Sequence, residues 1–200
     1  MFLGEVMAKT TTFDRQEVID KATNLYWKKG FHATSMRNLQ DAVDLRPGSI
    51  YSAFGNKDGL FKEALANYAD MSLSLLQQCK DEHDSPLHAL KAFMKLIIVE
   101  SQNSAPNGIC MLSKTISELT DENQDLIDVT KAHLVNISSA LVRLIEEAQT
   151  LGEVDKNKNA EDLATHVQIQ ITGLRTFAKI NKDKNKVSAM IDDIFTHYPF

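Results

Sequence analysis

The organisation of the chain is clearest in residues 34–60, which read TSMRNLQDAVDLRPGSIYSAFGNKDGL. Apolar residues recur at helical spacing over 36–43 and again over 47–54, with a short break between the two segments. Thr34 or Ser35 can cap the first helix, and the second begins with a proline, which suits a first helical turn because the N–H that it lacks has no partner there. Two short helices joined by a tight turn form the helix-turn-helix pattern, in which the second helix enters the major groove of DNA.

Helical spacing of apolar residues continues on both sides of this stretch, and no convincing alternation typical of strands occurs. Asp14 and Glu17 have the spacing of a capping box, and Gly30 is placed to end the helix that they begin. The predicted helices cover residues 14–30, 36–43, 47–54, 57–79, 86–98, 109–119, 121–152, 160–180 and 187–198. The sequence therefore predicts an all-α fold of about nine helices.

Composition excludes several classes of protein. The 200 residues are 43% apolar and 24% charged, which is typical of a folded globular chain. No apolar run approaches the roughly 18 to 20 residues needed to span a bilayer, and the first residues lack a basic leader, so we expect a cytoplasmic protein without membrane contact. The two cysteines, Cys79 and Cys110, are too few for a disulfide framework or a four-thiolate zinc site.

Catalytic and metal-binding patterns are equally weak. The histidines lack the i, i+4 spacing of a helical metal site. No phosphate-binding glycine loop, nucleophile elbow or pair of carboxylates occurs in a convincing context. We therefore expect no enzymatic activity, no metal and no cofactor.

The net charge of −5 is unevenly distributed along the chain. Residues 1–62 carry 9 basic and 7 acidic residues, whereas residues 63–200 carry 13 and 20. An acidic chain is a poor general binder of nucleic acid, because attraction to phosphate supplies most of the non-specific affinity. A locally positive N-terminal segment on an acidic body remains compatible with specific DNA binding.

A family resemblance lies in residues 13–65. Its residues are Ala22, Leu25, Tyr26, Gly30, Phe31, Thr34, Leu39, Ala42 and the run Leu45 to Leu60. This pattern resembles the signature of TetR/AcrR-type bacterial transcriptional regulators. The resemblance implies a three-helix helix-turn-helix DNA-binding domain over 1–56, an effector-binding and dimerisation domain over 57–200, and double-stranded operator DNA as a partner.

Two residues depart from the family pattern. Asp44 stands where the family usually has a glycine, and aspartate tolerates the left-handed conformation well enough for the turn to survive. Gly59 replaces a residue that is often acidic, and we expect it to loosen the first turn of the helix that follows.

The candidate DNA-binding residues follow from the resemblance and from side-chain chemistry. They are Thr34, Arg37, Arg46, Gly48, Ser49, Tyr51, Ser52 and Lys57. Thr34 and Lys57 stand at helix starts, where hydroxyl, ammonium and free N–H groups bind phosphates. Gly48 lets the recognition helix approach the DNA backbone closely. The two arginines and two serines are candidates to reach bases or neighbouring phosphates.

Tyr51 and Phe54 have a separate expected role. Because they are three residues apart on a short helix, we expect both to anchor one face in the core while the Tyr51 hydroxyl faces outward. The alternative is that both are ordinary core residues and that Lys57 is a solvated charge.

The helix predicted over 160–180 is apolar on two sides. One stripe contains Leu163, Val167 and Leu174, and a second side carries small residues around Gly173. A helix of this kind is buried on two sides, so we expect a homodimer through the last two helices. A two-fold dimer would set its recognition helices roughly 34 to 36 Å apart and bind an inverted repeat.

The effector remains unidentified by sequence. Phe93, Met94, Met111, Phe177 and Met190 either line an adaptable apolar pocket or form ordinary core.

Cys110 is placed in the first turn of a helix, where the helix dipole stabilises a thiolate, and Lys114 adds a second favourable charge four residues on. The segment Gly-x-Cys is similar to that of family members that sense electrophiles or oxidants, although a buried apolar cysteine or one lining a non-covalent pocket explains it as well. Cys79 lies on an apolar stripe and is expected in the core.

The sequence therefore predicts a ligand-responsive repressor, released from its operator by a small molecule or by modification of Cys110. Two alternatives stay open. One is a regulator with a purely non-covalent hydrophobic inducer, and the other is a protein-binding adaptor that keeps the fold without binding an operator.

Overall fold

The computed structural model describes residues 13–102, 106 and 108–196. The helices in this part of the chain are α1 (Arg15–Lys29), α2 (Met36–Val43), α3 (Pro47–Phe54), α4 (Lys57–Asp81), α5 (Pro86–Ile98), α6 (Met111–Glu118), α7 (Gln124–Thr150), α8 (Ala160–Ile180) and α9 (Lys184–Ile194). Short 3-10 turns occupy Glu100–Gln102 and Asp121–Asn123, and no strand occurs among the described residues. The all-α prediction is confirmed.

The helix ends of the N-terminal region follow the predicted caps. The Asp14 carboxylate accepts hydrogen bonds from the backbone N–H groups of Gln16 and Glu17, and Gly30 ends α1 with a φ of 93°. Ser35 caps α2, and Asp44 ends it in the left-handed conformation with a φ of 55°. The prediction that aspartate supports this turn is therefore confirmed.

Three helix starts in the C-terminal half differ from the prediction. Helix α6 begins at Met111 rather than at residue 109, so the expectation that Cys110 lies in its first turn is wrong and Cys110 is its N-cap residue. Residues 121–123 form a 3-10 turn, so α7 begins at Gln124. The last helix begins at Lys184, because the Asp183 carboxylate accepts the N–H groups of Asn185 and Lys186 and acts as the cap. That helix ends at Ile194, and its predicted end at Tyr198 lies outside the described residues, as do the first twelve residues of the predicted DNA-binding domain.

The helices enclose two apolar cores. The N-terminal core contains Val18, Tyr26, Leu39, Ile50, Phe54, Leu60, Phe61, Leu65, Met111, Leu112 and Leu126 with their neighbours. The C-terminal core contains Leu76, Cys79, Leu90, Phe93, Met94, Leu141, Leu144, Val167, Leu174, Val187 and Ile191 with theirs. The first half of α4, the first turn of α6 and the start of α7 thus pack with α1–α3.

Every helix in the described part of the chain is too short or too polar to cross a bilayer. The same residues contain no cluster of three or more His, Cys, Asp or Glu side chains arranged to hold a metal ion.

Candidate nucleic-acid interface and effector cavity

Helix α3 buries one face and exposes the other. Ile50 and Phe54, four residues apart, are 0% and 7% exposed and anchor the helix in the N-terminal core. Tyr51 is 48% exposed, so the expectation that it anchors the helix together with Phe54 is wrong. Residues four positions apart, such as Ile50 and Phe54, lie on the same face of an α-helix. Tyr51 lies to one side of the narrow stripe that these two residues bury. Tyr51 is therefore free to contact a partner.

The remaining candidates on this surface are also accessible. Arg37, Arg46, Gly48 and Ser52 are exposed, and Ser49 is half-buried. A Cβ added at Gly48 would meet nothing within 4 Å, so the helix presents a bare backbone there. The Arg46 side chain makes no capping hydrogen bond at the start of α3.

Thr34 is turned away from this surface. It is 0% exposed, and its hydroxyl donates a hydrogen bond of 2.6 Å to the Gly30 carbonyl oxygen. Direct contact of this hydroxyl with a phosphate is not supported, because the turn between α1 and α2 already uses it. Ser35, one residue later, provides the cap of α2.

Lys57 lies beside the surface with its ammonium folded back onto an aromatic ring. The Nζ atom is 4.1 Å from the centroid of Phe31. Partial burial lowers the pKa of Lys57, and the carboxylates of Asp58 and Glu118 oppose that change. The side chain is thus held between the helix-turn-helix and α6 rather than extended into solvent.

Gly59 has a structural role that the sequence did not suggest. Its N–H donates to the Asn56 side chain, which caps α4, and a Cβ at this position would collide with the backbone carbonyl oxygen of Phe54. The expectation that Gly59 loosens the first turn of α4 stays a prediction. The close approach of α3 and α4 requires a residue without a side chain.

An open cavity of about 390 Å³ lies between α4, α5, α7 and α8, beside the start of α6. Its lining residues are Tyr68, Ser72, Phe93, Ile97, Cys110, Ser113, Leu134, Ile137, Leu141, Thr165, Gln168, Ile169, Ile171, Thr172 and Arg175. Most of the wall is aliphatic or aromatic, with a few hydroxyl and amide groups and one cation. This composition is typical of a small-molecule site.

Two predicted effector residues, Phe93 and Cys110, line the cavity, and the others lie elsewhere. Met94 and Met111 are 0% and 1% exposed within the two cores, because each lies on the innermost stripe of its helix. Phe177 packs against the C-terminal core beside α9, and the Nζ atom of Lys186 is 5.9 Å from its ring centroid. Met190 is 37% exposed.

Lys114 does not serve Cys110. Its ammonium donates to the carbonyl oxygens of Trp27 and Lys28, at 3.3 and 3.2 Å. These groups belong to the last turn of α1, where carbonyl oxygens lack helical partners and attract a cation. Lys114 therefore caps α1 from a distant part of the chain.

Both cysteines are free thiols. Cys110 is half-buried and stands at the N-cap position of α6, facing the cavity. Burial raises the pKa of the neighbouring Tyr68 hydroxyl, with Cys110 adding to the change and Arg175 opposing it. Cys79 lies in the C-terminal core as expected, and burial raises the pKa of its thiol.

Arg175 is the functional candidate that sequence reasoning missed. It is 6% exposed and donates from Nε to the Gly108 carbonyl oxygen at 3.0 Å and from a terminal nitrogen to the Tyr68 hydroxyl at 3.1 Å. The sequence does contain an indication of this role, because Arg175 lies on the buried stripe of α8 together with Leu174 and Ala178. A charged residue on an otherwise apolar buried stripe is rarely there without a partner.

Helix α6 joins the cavity to the helix-turn-helix. Its N-terminal end carries cavity residues Cys110 and Ser113, and the preceding Ile109 carbonyl accepts the Trp27 indole N–H at 2.6 Å. At its other end the Glu118 carboxylate accepts the His32 backbone N–H at 2.7 Å. A change in the cavity wall therefore has a direct physical route to the C-terminal end of α1 and the turn that follows it.

Comparison with known families gives two matches. Residues 18–64 match the family described as "Bacterial regulatory proteins, tetR family". Residues 86–194, more than half of the chain, match "Tetracyclin repressor-like, C-terminal domain". The first match contains α2 and α3, and the second contains α5 to α9.

Individual relatives and solved structures are similar over most of the chain. The HTH-type transcriptional repressor ComR of Escherichia coli is 27% identical over 84% of this chain and 80% of its own length. A cysteine mutant of the TetR family regulator CifR, solved with a 26-base-pair operator, superposes with a TM-score of 0.83 at 23% identity over 94% of this chain and 98% of that one. FadR from Bacillus subtilis, solved with stearoyl-CoA, gives a TM-score of 0.74 at 15% identity over 92% and 96%.

Proposed function

Since this chain belongs to the tetR family of bacterial regulatory proteins, whose members are DNA-binding transcriptional regulators, we propose that it is a homodimeric repressor of an inverted-repeat operator. Residues 1–56 act as the DNA-binding domain and 57–200 as the effector-binding and dimerisation domain. Release from DNA follows entry of a small molecule into the cavity or modification of Cys110. ComR, a relative that is itself named a repressor, supports the direction of the regulation.

The observation that carries DNA binding is the division of α3 into two faces. Ile50 and Phe54 fix the helix from inside, whereas Tyr51, Ser52 and Arg46 are exposed on its outer side. This outer side is supplied with hydroxyl and guanidinium groups, which bind base edges and phosphates. Operator binding by the CifR mutant, a protein of the same fold, agrees with this assignment.

Dimerisation is assigned to the outer face of α8 with α9. Ile169 and Thr172 also line the cavity, and Ile169 is 61% exposed. Thr172, Gly173 and Thr176 are exposed on the same helix, and nothing lies within 4 Å of a Cβ added at Gly173. A bare glycine in mid-helix permits close approach of a second helix.

Ile169→Glu is expected to produce monomers in analytical ultracentrifugation. The control is Val135→Glu, which changes an equally exposed aliphatic residue on α7. Monomers from the Val135 variant and dimers from the Ile169 variant would contradict the assignment.

Effector binding is transmitted through α4 and α6. Helix α4 packs at its start in the N-terminal core through Leu60 and Phe61, and two turns later presents Tyr68 and Ser72 to the cavity. A ligand that favours one position of α4 over another shifts the spacing of the two recognition helices. Release of DNA without any change in that spacing would contradict this lever.

Modification of Cys110 is tested by mobility shift with N-ethylmaleimide. The thiolate sulfur adds to one alkene carbon of the maleimide and the adjacent carbon takes a proton from water. Wild type and the buried-thiol control Cys79→Ala should both release DNA, and Cys110→Ser should not. If the treated Cys110→Ser variant also releases DNA, or if the treated wild type does not, modification of Cys110 is not the signal. Regulation would then depend on a non-covalent inducer.

A further inference from the structure

Arg175 is a buried cation without an acidic partner among the described residues. The ion pairs formed in that part of the chain do not include it, and its hydrogen-bond acceptors are a carbonyl oxygen and a tyrosine hydroxyl. A guanidinium carries five N–H donors in a planar fork, more than these two neutral acceptors use. Burial of a charge is costly unless the group is paired and hydrogen-bonded, so an anion that used the remaining donors of Arg175 would gain a strong interaction.

The guanidinium lies where several cavities meet. It lines the main cavity and a neighbouring one of about 350 Å³, and both share Tyr68, Ser72 and Ile97. The residues lining the main cavity include no aspartate and no glutamate. The neighbouring cavity contains Glu100, which is exposed and lies 3.6 Å from the Lys184 ammonium. Among the described residues that line the main cavity, Arg175 is therefore the one charged group that an entering anion contacts.

Arg175 also borders a third cavity. This cavity is lined by Lys179 and Lys182 together with Gly108. The main cavity itself has a largely apolar wall, which includes Phe93, Ile137 and Leu141. The site thus combines one cationic end with an extended apolar chamber, the arrangement that recognises an amphipathic anion.

We propose that the effector is an amphipathic monocarboxylate, whose carboxylate pairs with Arg175 and whose hydrocarbon body fills the apolar chamber. A planar guanidinium matches a carboxylate with two parallel hydrogen bonds. The inference deepens the proposed function, because it names the chemical class of the molecule that enters the effector cavity.

The single tryptophan of the chain provides a direct readout. Trp27 packs edge-on against Tyr68 with ring centroids 4.9 Å apart, and the Arg175 guanidinium carbon is 5.9 Å from its ring centroid. A ligand on Arg175 therefore changes Trp27 fluorescence. The test titrates the full-length protein, without DNA, with octanoate, decanoate and dodecanoate, each below its micelle concentration, and with the methyl ester of each.

The expected result is at least tenfold tighter binding of a carboxylate than of its methyl ester. Arg175→Gln should lose this preference, and Arg175→Lys should keep part of it, because lysine retains the charge without the fork. Arg143→Gln, which removes an exposed arginine of α7 in a different groove, should behave as wild type.

Three results would overturn the proposal: equal binding of acid and ester by wild type, an unchanged preference in Arg175→Gln, or no saturable response to any of these ligands. If Arg175→Gln fails to fold, the acid–ester comparison in wild type and Arg175→Lys still decides. Carboxylate binding that releases no DNA would leave the anion site standing and contradict its role as the effector site. Loss of the DNA-binding function would leave the fluorescence result unaffected.

Discussion

The two halves of this protein differ in the space that lies between their helices. Around α1–α3 the core is filled, and Tyr26, Leu39, Ile50 and Leu60 are at most 1% exposed. Around α5, α7 and α8 the packing leaves cavities of about 390 and 350 Å³ with a buried arginine at their junction. Close packing fixes the geometry of the helices that contact DNA, whereas space between helices allows a ligand to shift them. Helices α4 and α6 belong to both regions and connect them.

The variants Phe54→Ala and Tyr51→Ala test the buried and the exposed face of α3. The Phe54 variant has the largest expected effect on the free energy of unfolding. Removal of the buried Phe54 ring leaves a hole in the N-terminal core and should lower the free energy of unfolding by about 3–5 kcal/mol. Tyr51→Ala should change that free energy by less than about 0.5 kcal/mol, because the ring is largely in solvent. Urea denaturation followed by circular dichroism measures both.

Tyr51→Ala, which has the smaller effect on stability, should have the direct effect on DNA binding. Tyr51→Ala folds normally and should lose operator affinity in a mobility-shift assay. A Tyr51 variant that is strongly destabilised, or one with wild-type affinity for DNA, would show that the exposed face of α3 has been assigned wrongly.

Gly59→Ala and Gly48→Ala each add one methyl group, at position 59 against neighbouring backbone and at position 48 into open space. The new methyl at position 59 would collide with the Phe54 carbonyl oxygen, and forced displacement of this kind costs about 1–3 kcal/mol. At position 48 nothing lies within 4 Å, and alanine in a helix should be neutral or stabilise the protein by up to about 1 kcal/mol. Thermal unfolding measures both variants.

DNA binding supplies the control for this pair. Gly48→Ala should weaken operator affinity despite its unchanged stability, because the methyl would stand between α3 and the DNA backbone. A more stable Gly59→Ala variant would contradict the close contact between α3 and α4.

Lys114→Met tests the connection between the two halves. The variant removes two hydrogen bonds from an ammonium to the last carbonyl groups of α1 and should lower the free energy of unfolding by about 1 kcal/mol. Amide exchange should rise at the C-terminal end of α1 and stay unchanged in α9. Lys131→Met, which changes an exposed lysine of α7, is the control. Equal exchange in both variants would mean that Lys114 does not hold α1.

Asp192→Asn has the smallest expected effect and concerns the C-terminal half alone. Hydrogen bonds from the Lys91 and Lys95 ammonium groups hold the pKa of Asp192 below its usual value of 3.8. A lowered carboxylate pKa stabilises the fold above the usual value, and the stabilisation is lost as pH falls through the folded pKa. Because these side chains are partly exposed, the variant should lose less than about 1 kcal/mol at neutral pH.

Denaturation of wild type and Asp192→Asn at pH 7 and in acid checks this prediction. The difference between them should vanish in acid, when the aspartate is protonated. Asp84→Asn, in the exposed loop after α4, should show no difference at either pH. A difference that persists in acid would assign the effect to packing rather than to charge.

Most of the fold follows from local signals in the sequence. Caps such as Asp14 and Ser35, and breaks such as Gly30 and Gly55, act within a few residues of their position, so the spacing of side chains along the chain suffices to predict them. The start of α9 was misplaced because Asp183 sits in a polar stretch, where a cap cannot be distinguished from loop residues before the helix is known.

The candidate site residues also differ in how far the sequence predicts them. The exposed residues of α3 are neighbours in sequence and were identified from it. The cavity residues Tyr68, Cys110 and Arg175 come from three distant helices, and their proximity depends on packing that no local pattern encodes. Lys114 and Thr34 were misassigned for the same reason, since their partners lie on α1 and in the turn that follows it.

The most direct test of DNA binding is the selection of duplexes from a random pool by the full-length protein at low salt. The proposed function predicts recovery of an inverted repeat with half-sites about one helical turn apart, and no enrichment by Tyr51→Ala. Failure of the wild-type protein to enrich any sequence, with dimers intact, would contradict operator binding and favour a protein-binding role for the same fold.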